Sequence, residues 1–152
     1  MIQRIQTIYL FLAAALTATF IFLPAATLFA PSAPVIFSPT GFYEAGTNHE
    51  VAATVPLAIV AALSALLPLI NIFLYRNRPL QMRVCRTTTL LLLAVYIVFG
   101  IYVHTMSATL QSESTQWGAS LTMPAVSLIL NEIARRRVRA DERLVRSADR
   151  LR

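Results

Sequence analysis

Residues 131–152 read NEIARRRVRADERLVRSADRLR and hold eight of the thirteen arginines of this 152-residue chain. On a helical wheel of about 100° per residue, most of these arginines share one arc. Ala134, Val138 and Leu151 lie in the opposite arc, and no Gly or Pro interrupts the stretch. The pattern therefore predicts a basic helix with one charged face and one apolar face.

Asp141 departs from this two-faced pattern. It lies on the apolar arc, and Arg137 precedes it by one helical turn on the same arc. Two interpretations stay open. One is a local ion pair with Arg137, and the other is a contact with an arginine elsewhere in the fold, in the segment 76–86.

The rest of the chain is strongly apolar. Hydrophobic residues make up 57% of the sequence and charged residues 13%, whereas a typical soluble domain is about 25% charged. Every basic residue is Arg, so lysine chemistry is excluded and the positive charge persists at any physiological pH. Cys85 is the single cysteine, which excludes an internal disulfide.

Four stretches are apolar and long enough to cross a bilayer, which takes about 17–25 residues. They are residues 5–30, 51–75, 84–106 and 117–133. Pro24 is expected to kink or end the first helix, and a Pro-rich loop at 31–50 follows it. The sequence thus predicts an all-α membrane protein. Its four transmembrane helices form an up-down antiparallel bundle, and the fourth helix continues into the basic helix at 134–152.

Charge is distributed unequally over the two sides of this predicted bundle. Arg4, the short loop 76–83 with Arg86 just beyond it, and the tail lie on one side and carry all thirteen arginines. The opposite connections carry no base and three acidic residues, Glu44, Glu50 and Glu113. The positive-inside rule then predicts cytoplasmic termini and an external loop at 31–50.

The arginines on the cytoplasmic side form the candidate binding surface. Its members are Arg76, Arg78, Arg83, Arg86, Arg135, Arg136, Arg139, Arg143, Arg146 and Arg150. Anionic phospholipid is one expected partner, since it attracts each nearby basic residue by about 1 kcal/mol. A protein partner or larger membrane complex is the other, because the tail's apolar face has no Trp or Phe and inserts weakly into lipid. Nucleic acid is disfavoured, since no aromatic platform for base stacking accompanies the arginines.

Within the predicted spans, Asn71 is the candidate polar contact between helices. The middle of each span carries no charged residue, which argues against an ion-coupled transporter. On the external side, His49, His104 and the nearby carboxylates match no metal-ligand spacing. The sequence therefore predicts no metal site, no cofactor and no catalytic residue.

Three pieces of the sequence carry a family resemblance: MIQRIQTIYL at 1–10, FLYRNRPLQMRVC at 73–85 and ARRRVRADERLVRSADRLR at 134–152. They resemble a family from Bacteroidota that is known as domain of unknown function 4293. The resemblance extends from the start of the chain to its end, and it implies a small four-span protein of the bacterial inner membrane. It implies no activity.

The arginine surface favours one functional hypothesis over another. The first is a non-enzymatic accessory or scaffold subunit that docks a partner through its cytoplasmic arginines. The alternative is a small homo-oligomeric transport or channel subunit, with a path lined by Asn71, His104 and the Pro-kinked helices.

Overall fold

The computed structural model of the chain describes residues 2–47, 49–75 and 77–149, with side chains from residue 5 to residue 143 within those ranges. Four helices, five strands and one 3₁₀ turn form the described chain. They are α1 Ile2–Phe22, β1 Ala26–Phe29, β2 Pro34–Ser38, β3 Gly41–Glu44, β4 Glu50–Ala53, α2 Val55–Phe73, α3 Arg78–Leu110, β5 Ser114–Trp117, a 3₁₀ turn Ala119–Leu121 and α4 Thr122–Asp149.

The helices pack side by side, each against two neighbours. α1 contacts α2 and α4, and α3 contacts the same two helices from the other side. α3 buries one narrow stripe at spacings of three and four residues: Gln81, Cys85, Thr88, Leu92, Val95, Phe99 and Val103. α4 runs unbroken from Thr122 to Asp149, as the sequence predicts for the fourth helix and its basic continuation.

A five-stranded antiparallel sheet, in the order β4-β3-β2-β1-β5, lies at one end of the helices. Its strands connect the end of α1 to the start of α2, and the end of α3 to the start of α4. One face is buried through Ala26, Leu28, Val35, Phe37 and Phe42, which join Phe99 and Val103 of α3 in one apolar core. The ring of Phe37 stacks between those of Phe42 and Phe99, at centroid distances of 4.1 and 4.8 Å.

The prediction of an all-α protein is wrong, because the chain contains this sheet. Helix α1 ends at Phe22, just before Pro24, and the last residues of the predicted first span form strand β1 instead. The predicted external loop 31–50 forms β2 and β3 and leads into β4. Each strand has only four or five residues, and a run that short cannot be told from a helix segment or an apolar loop by its periodicity.

The remaining helix bounds differ from the predicted spans at their ends. α3 begins well before residue 84, because the Asn77 side chain caps it by accepting a hydrogen bond from the Leu80 amide at 3.2 Å. The predicted fourth span, 117–133, starts in β5 and the 3₁₀ turn. Only the short stretch of α4 before Glu132 is therefore left as an uncharged helix.

The helices expose apolar side chains and bury polar ones. Phe11, Ile59, Leu66, Leu90 and Ile97 are at least half exposed, whereas polar residues of the same helices are fully buried: Thr17, Ser64, Asn71 and Thr88. Helices that face lipid have this inverted distribution. Within the described residues, three helices are long and apolar enough to cross a membrane: Ile5–Phe22, Val55–Phe73 and Arg78–Leu110. The structure is therefore compatible with a membrane protein.

Candidate functional site

A cleft between the start of α3 and the second half of α4 collects most of the predicted basic surface. Its larger lobe has a volume of about 430 Å³ and is lined by Pro79, Met82, Arg83, Arg86, Arg139, Glu142 and Arg143. The smaller lobe, about 210 Å³, is lined by Met82, Arg86, Glu132, Arg135, Arg136 and Arg139. Met82, Arg86 and Arg139 belong to both lobes, and we call the whole the arginine cleft.

Helical periodicity places these side chains on facing surfaces. On α4, Glu132, Arg136, Arg139 and Arg143 recur at steps of three and four residues. The opposite stripe of the same helix, Asn131, Ala134 and Val138, is fully buried against the other helices. The apolar arc of the tail thus holds α4 in place, and its arginine arc forms one wall of the cleft.

Positive charge dominates the arginine cleft. Six guanidinium groups line it together with two carboxylates, Glu132 and Glu142. Glu132 accepts a hydrogen bond from Arg135 at 2.8 Å and another from Arg136 at 3.3 Å. The bond from Arg135 is the main cause that lowers the pKa of the Glu132 carboxyl, and the same bond raises the pKa of Arg135. The Glu132 carboxylate is therefore paired with two arginines of its own helix. Arginines do not lose their charge by titration.

The end of α4 is tied to the starts of α1 and α3 through Asp141. The Gln6 amide donates to the Asp141 carboxylate at 2.8 Å, and the Arg78 guanidinium donates to the Asp141 backbone carbonyl at 2.9 Å. An arginine from the segment 76–86 thus does meet Asp141, but through the main chain. Arg137, the other partner considered for Asp141, is exposed.

A buried polar cluster surrounds Cys85 between α2, α3 and α4. The Asn71 amide donates to the Cys85 sulfur at 3.0 Å. The Asn131 amide donates to the Cys85 carbonyl at 2.8 Å and to the Thr89 hydroxyl at 3.0 Å. Asn71, Cys85 and Asn131 have no exposed surface. Asn71 therefore makes a contact between helices, and Asn131 makes a second one.

The sequence did not lead us to predict Asn131 as an interhelical contact. The available signal was its position on the apolar arc of the tail helix, one turn before the buried Ala134 and Val138. Its carboxamide oxygen and that of Asn71 have no hydrogen-bond partner among the described residues.

The structure brings six of the ten predicted surface arginines into the arginine cleft: Arg83, Arg86, Arg135, Arg136, Arg139 and Arg143. Arg78 lies apart from them, against Asp141. Arg76 and Arg150 lie outside the described residues, as does the side chain of Arg146.

Comparison with known families confirms the resemblance that the three sequence segments indicated. The family model described as Domain of unknown function (DUF4293) matches residues 2–151. The chain belongs to this family. A comparison with curated proteins found no significant match. Membership of the DUF4293 family brings no activity with it, so a function for this member has to be argued from its geometry.

The described residues of this DUF4293 chain form no candidate metal site. Over those residues, no group of three or more His, Cys, Asp and Glu side chains lies close enough together to bind an ion. His104 is exposed near the end of α3. The arginine cleft and the Cys85 cluster are therefore the two features on which functional arguments rest.

Replacing Asn131 with Ala is expected to cost about 1 kcal/mol, because two hydrogen bonds between α4 and α3 are lost. Cys85 provides the measurement. It is the single cysteine and is fully buried, so a thiol-reactive dye labels it only when the helices separate. Labelling on heating should begin at a lower temperature in Asn131→Ala. Ile129→Ala, at an exposed position on the same helix, is the control, and an equal shift in both variants would contradict the role of Asn131.

Proposed function

We propose that this chain is a non-enzymatic integral membrane protein that acts as an accessory or scaffold subunit, and that it docks an acidic protein partner on the basic end of α4. Three helices of suitable length and their exposed apolar residues support the membrane part of the proposal. The reach and charge of α4 support the docking part.

The sheet and the arginines define the two sides of the proposed membrane protein. An open sheet has unpaired edge strands, here β4 and β5, and lipid cannot satisfy their backbone groups. The sheet therefore lies outside the hydrocarbon, and the arginine cleft lies at the opposite border. The positive-inside rule assigns that border to the cytoplasm. We place the chain in a bacterial inner membrane with both termini cytoplasmic.

The observation that carries the docking proposal is the length of α4. The helix continues for eight residues past Asp141, which is about 12 Å. In contrast, α3 begins at Arg78, the residue that contacts Asp141, and α1 begins four residues before Gln6. The end of α4 therefore reaches beyond both helices that hold it.

The sequence of this projecting end suits a groove on another protein. Arg143 and Arg146 alternate at helical spacing with Leu144, Val145 and Ala148, and amphipathic helices commonly bind by laying their apolar face into a groove. The net positive charge selects an acidic partner and speeds its association. A helix bound in this way would link the partner to the membrane.

A photo-crosslinking residue at position 147 tests the proposal in native membranes. We expect one discrete crosslinked protein that is lost in the double variant Arg143→Glu with Arg146→Glu. Arg137→Glu, an exposed arginine outside the cleft, is the matched control and should keep the crosslink. Reversing an acidic residue of the captured partner to Arg should then restore binding to the double variant.

Two results would count against docking. One is a crosslink that forms only to lipid or to another copy of the chain, and the other is a crosslink that survives the double charge reversal. A reporter fused after residue 152 must be cytoplasmic in every variant, because a periplasmic reporter would contradict the assigned orientation itself.

A further inference from the structure

We infer that the arginine cleft is a binding site for one anionic phospholipid. In this arrangement, the phosphate of the headgroup lies between Arg86 of α3 and the arginines of α4, and the acyl chains lie on the exposed apolar surface next to the cleft. The inference rests on the proposed membrane location of the chain. It does not depend on the docking of a protein partner.

The charge of the cleft is the first support for an anionic ligand. Arg86 and Arg139 line both lobes, and Arg135 and Arg136 share the carboxylate of Glu132. Six guanidinium groups thus line one cleft together with two carboxylates, which leaves an excess of positive charge. This arrangement is repulsive, and no arginine can relieve it by losing a proton. A phosphate relieves it, since a guanidinium binds two phosphate oxygens with two parallel charge-assisted hydrogen bonds.

The apolar surface next to the cleft is the second support. On α3, Leu90, Leu93 and Ile97 follow Arg86 at four, seven and eleven residues and are exposed, so they continue the face of Arg86 along the helix. On α4, Ile129 precedes Glu132 by three residues and is also exposed. Each wall of the cleft thus changes from charged to apolar along a single helix face.

These two apolar faces adjoin each other across the contact between α3 and α4. Asn131 of α4 bonds to Cys85 and Thr89 of α3 at the basic end of the contact. The Tyr96 hydroxyl of α3 donates to the Leu121 carbonyl just before α4, at the other end, at 2.7 Å. The exposed apolar residues between these hydrogen bonds therefore form one surface, which begins at the arginine cleft. We call this surface the apolar strip.

An anionic phospholipid matches this combination better than a soluble anion or an acidic protein segment. A soluble phosphate would use the arginines and leave the apolar strip uncovered. An acidic segment of a protein would have to enter the membrane border to reach that strip. A phospholipid carries both chemistries in one molecule, with the phosphate at the border and the chains within the bilayer.

Native mass spectrometry of the purified chain in mild detergent tests the inference. Phosphatidylglycerol and phosphatidylcholine with identical acyl chains are titrated against the full chain. We expect one phosphatidylglycerol to bind at least about tenfold more tightly than phosphatidylcholine. Arg86→Gln should weaken the binding of phosphatidylglycerol by about tenfold, because a hydrogen bond to a charged group is lost. Arg137→Gln, which removes the same charge outside the cleft, should change the affinity less than about twofold.

Two further arms separate a lipid site from a site for any soluble anion. Millimolar glycerol phosphate should not displace the bound phosphatidylglycerol. Leu90→Asn, on the apolar strip, should weaken lipid binding, whereas Leu66→Asn, at an exposed position on α2, should not. Dye labelling of Cys85 verifies that each variant is folded, because the thiol is buried in the native chain.

Three outcomes would overturn the inference: equal losses for Arg86→Gln and Arg137→Gln, which indicate diffuse attraction; full displacement by glycerol phosphate; and no preference for phosphatidylglycerol. The test is independent of docking. Arg86→Gln should weaken lipid binding and leave the crosslink at position 147 intact, so loss of the lipid and loss of the partner can be told apart.

Discussion

Replacing Phe37 with Ala is expected to cost about 3–5 kcal/mol, the largest loss of stability of any substitution considered for this protein. Phe37 is fully buried at the centre of the sheet, and its ring stacks between Phe42 and Phe99. Its removal leaves a cavity between β2, β3 and α3 that rigid strands cannot close. The sheet end of the molecule should therefore unfold before the helices separate.

Two natural probes at opposite ends of the protein measure this effect. Trp117, the single tryptophan, lies 6.3 Å from the Phe99 ring by centroid distance and reports on the sheet end. Cys85 reports on the packing of the helices at the other end. In Phe37→Ala, the midpoint of the Trp117 fluorescence transition should fall further than the temperature at which Cys85 becomes reactive.

Phe29→Ala is the matched control for this prediction. Phe29 is also a strand residue, but it is 40% exposed, so its loss leaves little cavity and should cost much less. Similar shifts in the two variants would show that Phe37 does not hold the sheet on α3.

Replacing Gly118 with Ala is expected to separate the first strand of the sheet from the start of α4. A methyl group at Gly118 would lie 2.7 Å from the Pro24 carbonyl oxygen and 3.2 Å from the Ala25 carbonyl carbon. Both are backbone atoms that cannot move alone. The Gly118 amide also donates to the Ala25 carbonyl at 2.9 Å, and the Ser120 hydroxyl donates to the Pro24 carbonyl. The clash should cost about 1–3 kcal/mol, as overpacking does elsewhere.

Gly100→Ala is the matched control for Gly118→Ala. Gly100 lies in α3, and among the described residues no atom beyond the neighbouring backbone of that helix comes within 4 Å of the position that its added methyl group would occupy. The substitution should be neutral or stabilise the helix by up to about 1 kcal/mol. Fluorescence of Trp117 during thermal unfolding measures both variants. Gly118→Ala with the stability of Gly100→Ala would mean that the close approach of Gly118 to Pro24 does not matter.

The helices could be predicted from the sequence because their apolar runs are long. A run of about 20 uncharged residues has few structural alternatives, and the helical spacing of arginines and apolar residues at 131–152 persists over six turns. The strands could not be predicted, because each is stabilised by hydrogen bonds to a partner distant in the chain. β1 pairs with β5, and nearly ninety residues separate them.

The arginine cleft shows a similar division. The sequence identified its arginines as a surface, since four of them share one arc of the tail helix and the other two lie in the segment 76–86 on the same predicted side. It did not identify the cleft, because the rotation of α3 about its axis decides whether Arg83 and Arg86 face α4 or point away. That rotation follows from the buried stripe of α3 and from hydrogen bonds such as Asn131 to Cys85.

The sequence by itself determined the apolar helices, although it predicted four membrane-spanning helices where three of the described helices are long and apolar enough to span. It also determined the basic helix and the concentration of arginine at one end of the molecule. Each of these is a property of neighbouring residues along the chain, since a helix satisfies its own backbone and displays its side chains at a fixed period. Only the tertiary structure decided that residues 26–53 and 114–117 form a sheet, and that two arginine-bearing helix faces meet in a cleft. Strand pairing and helix rotation depend on contacts between distant residues, which local periodicity does not specify.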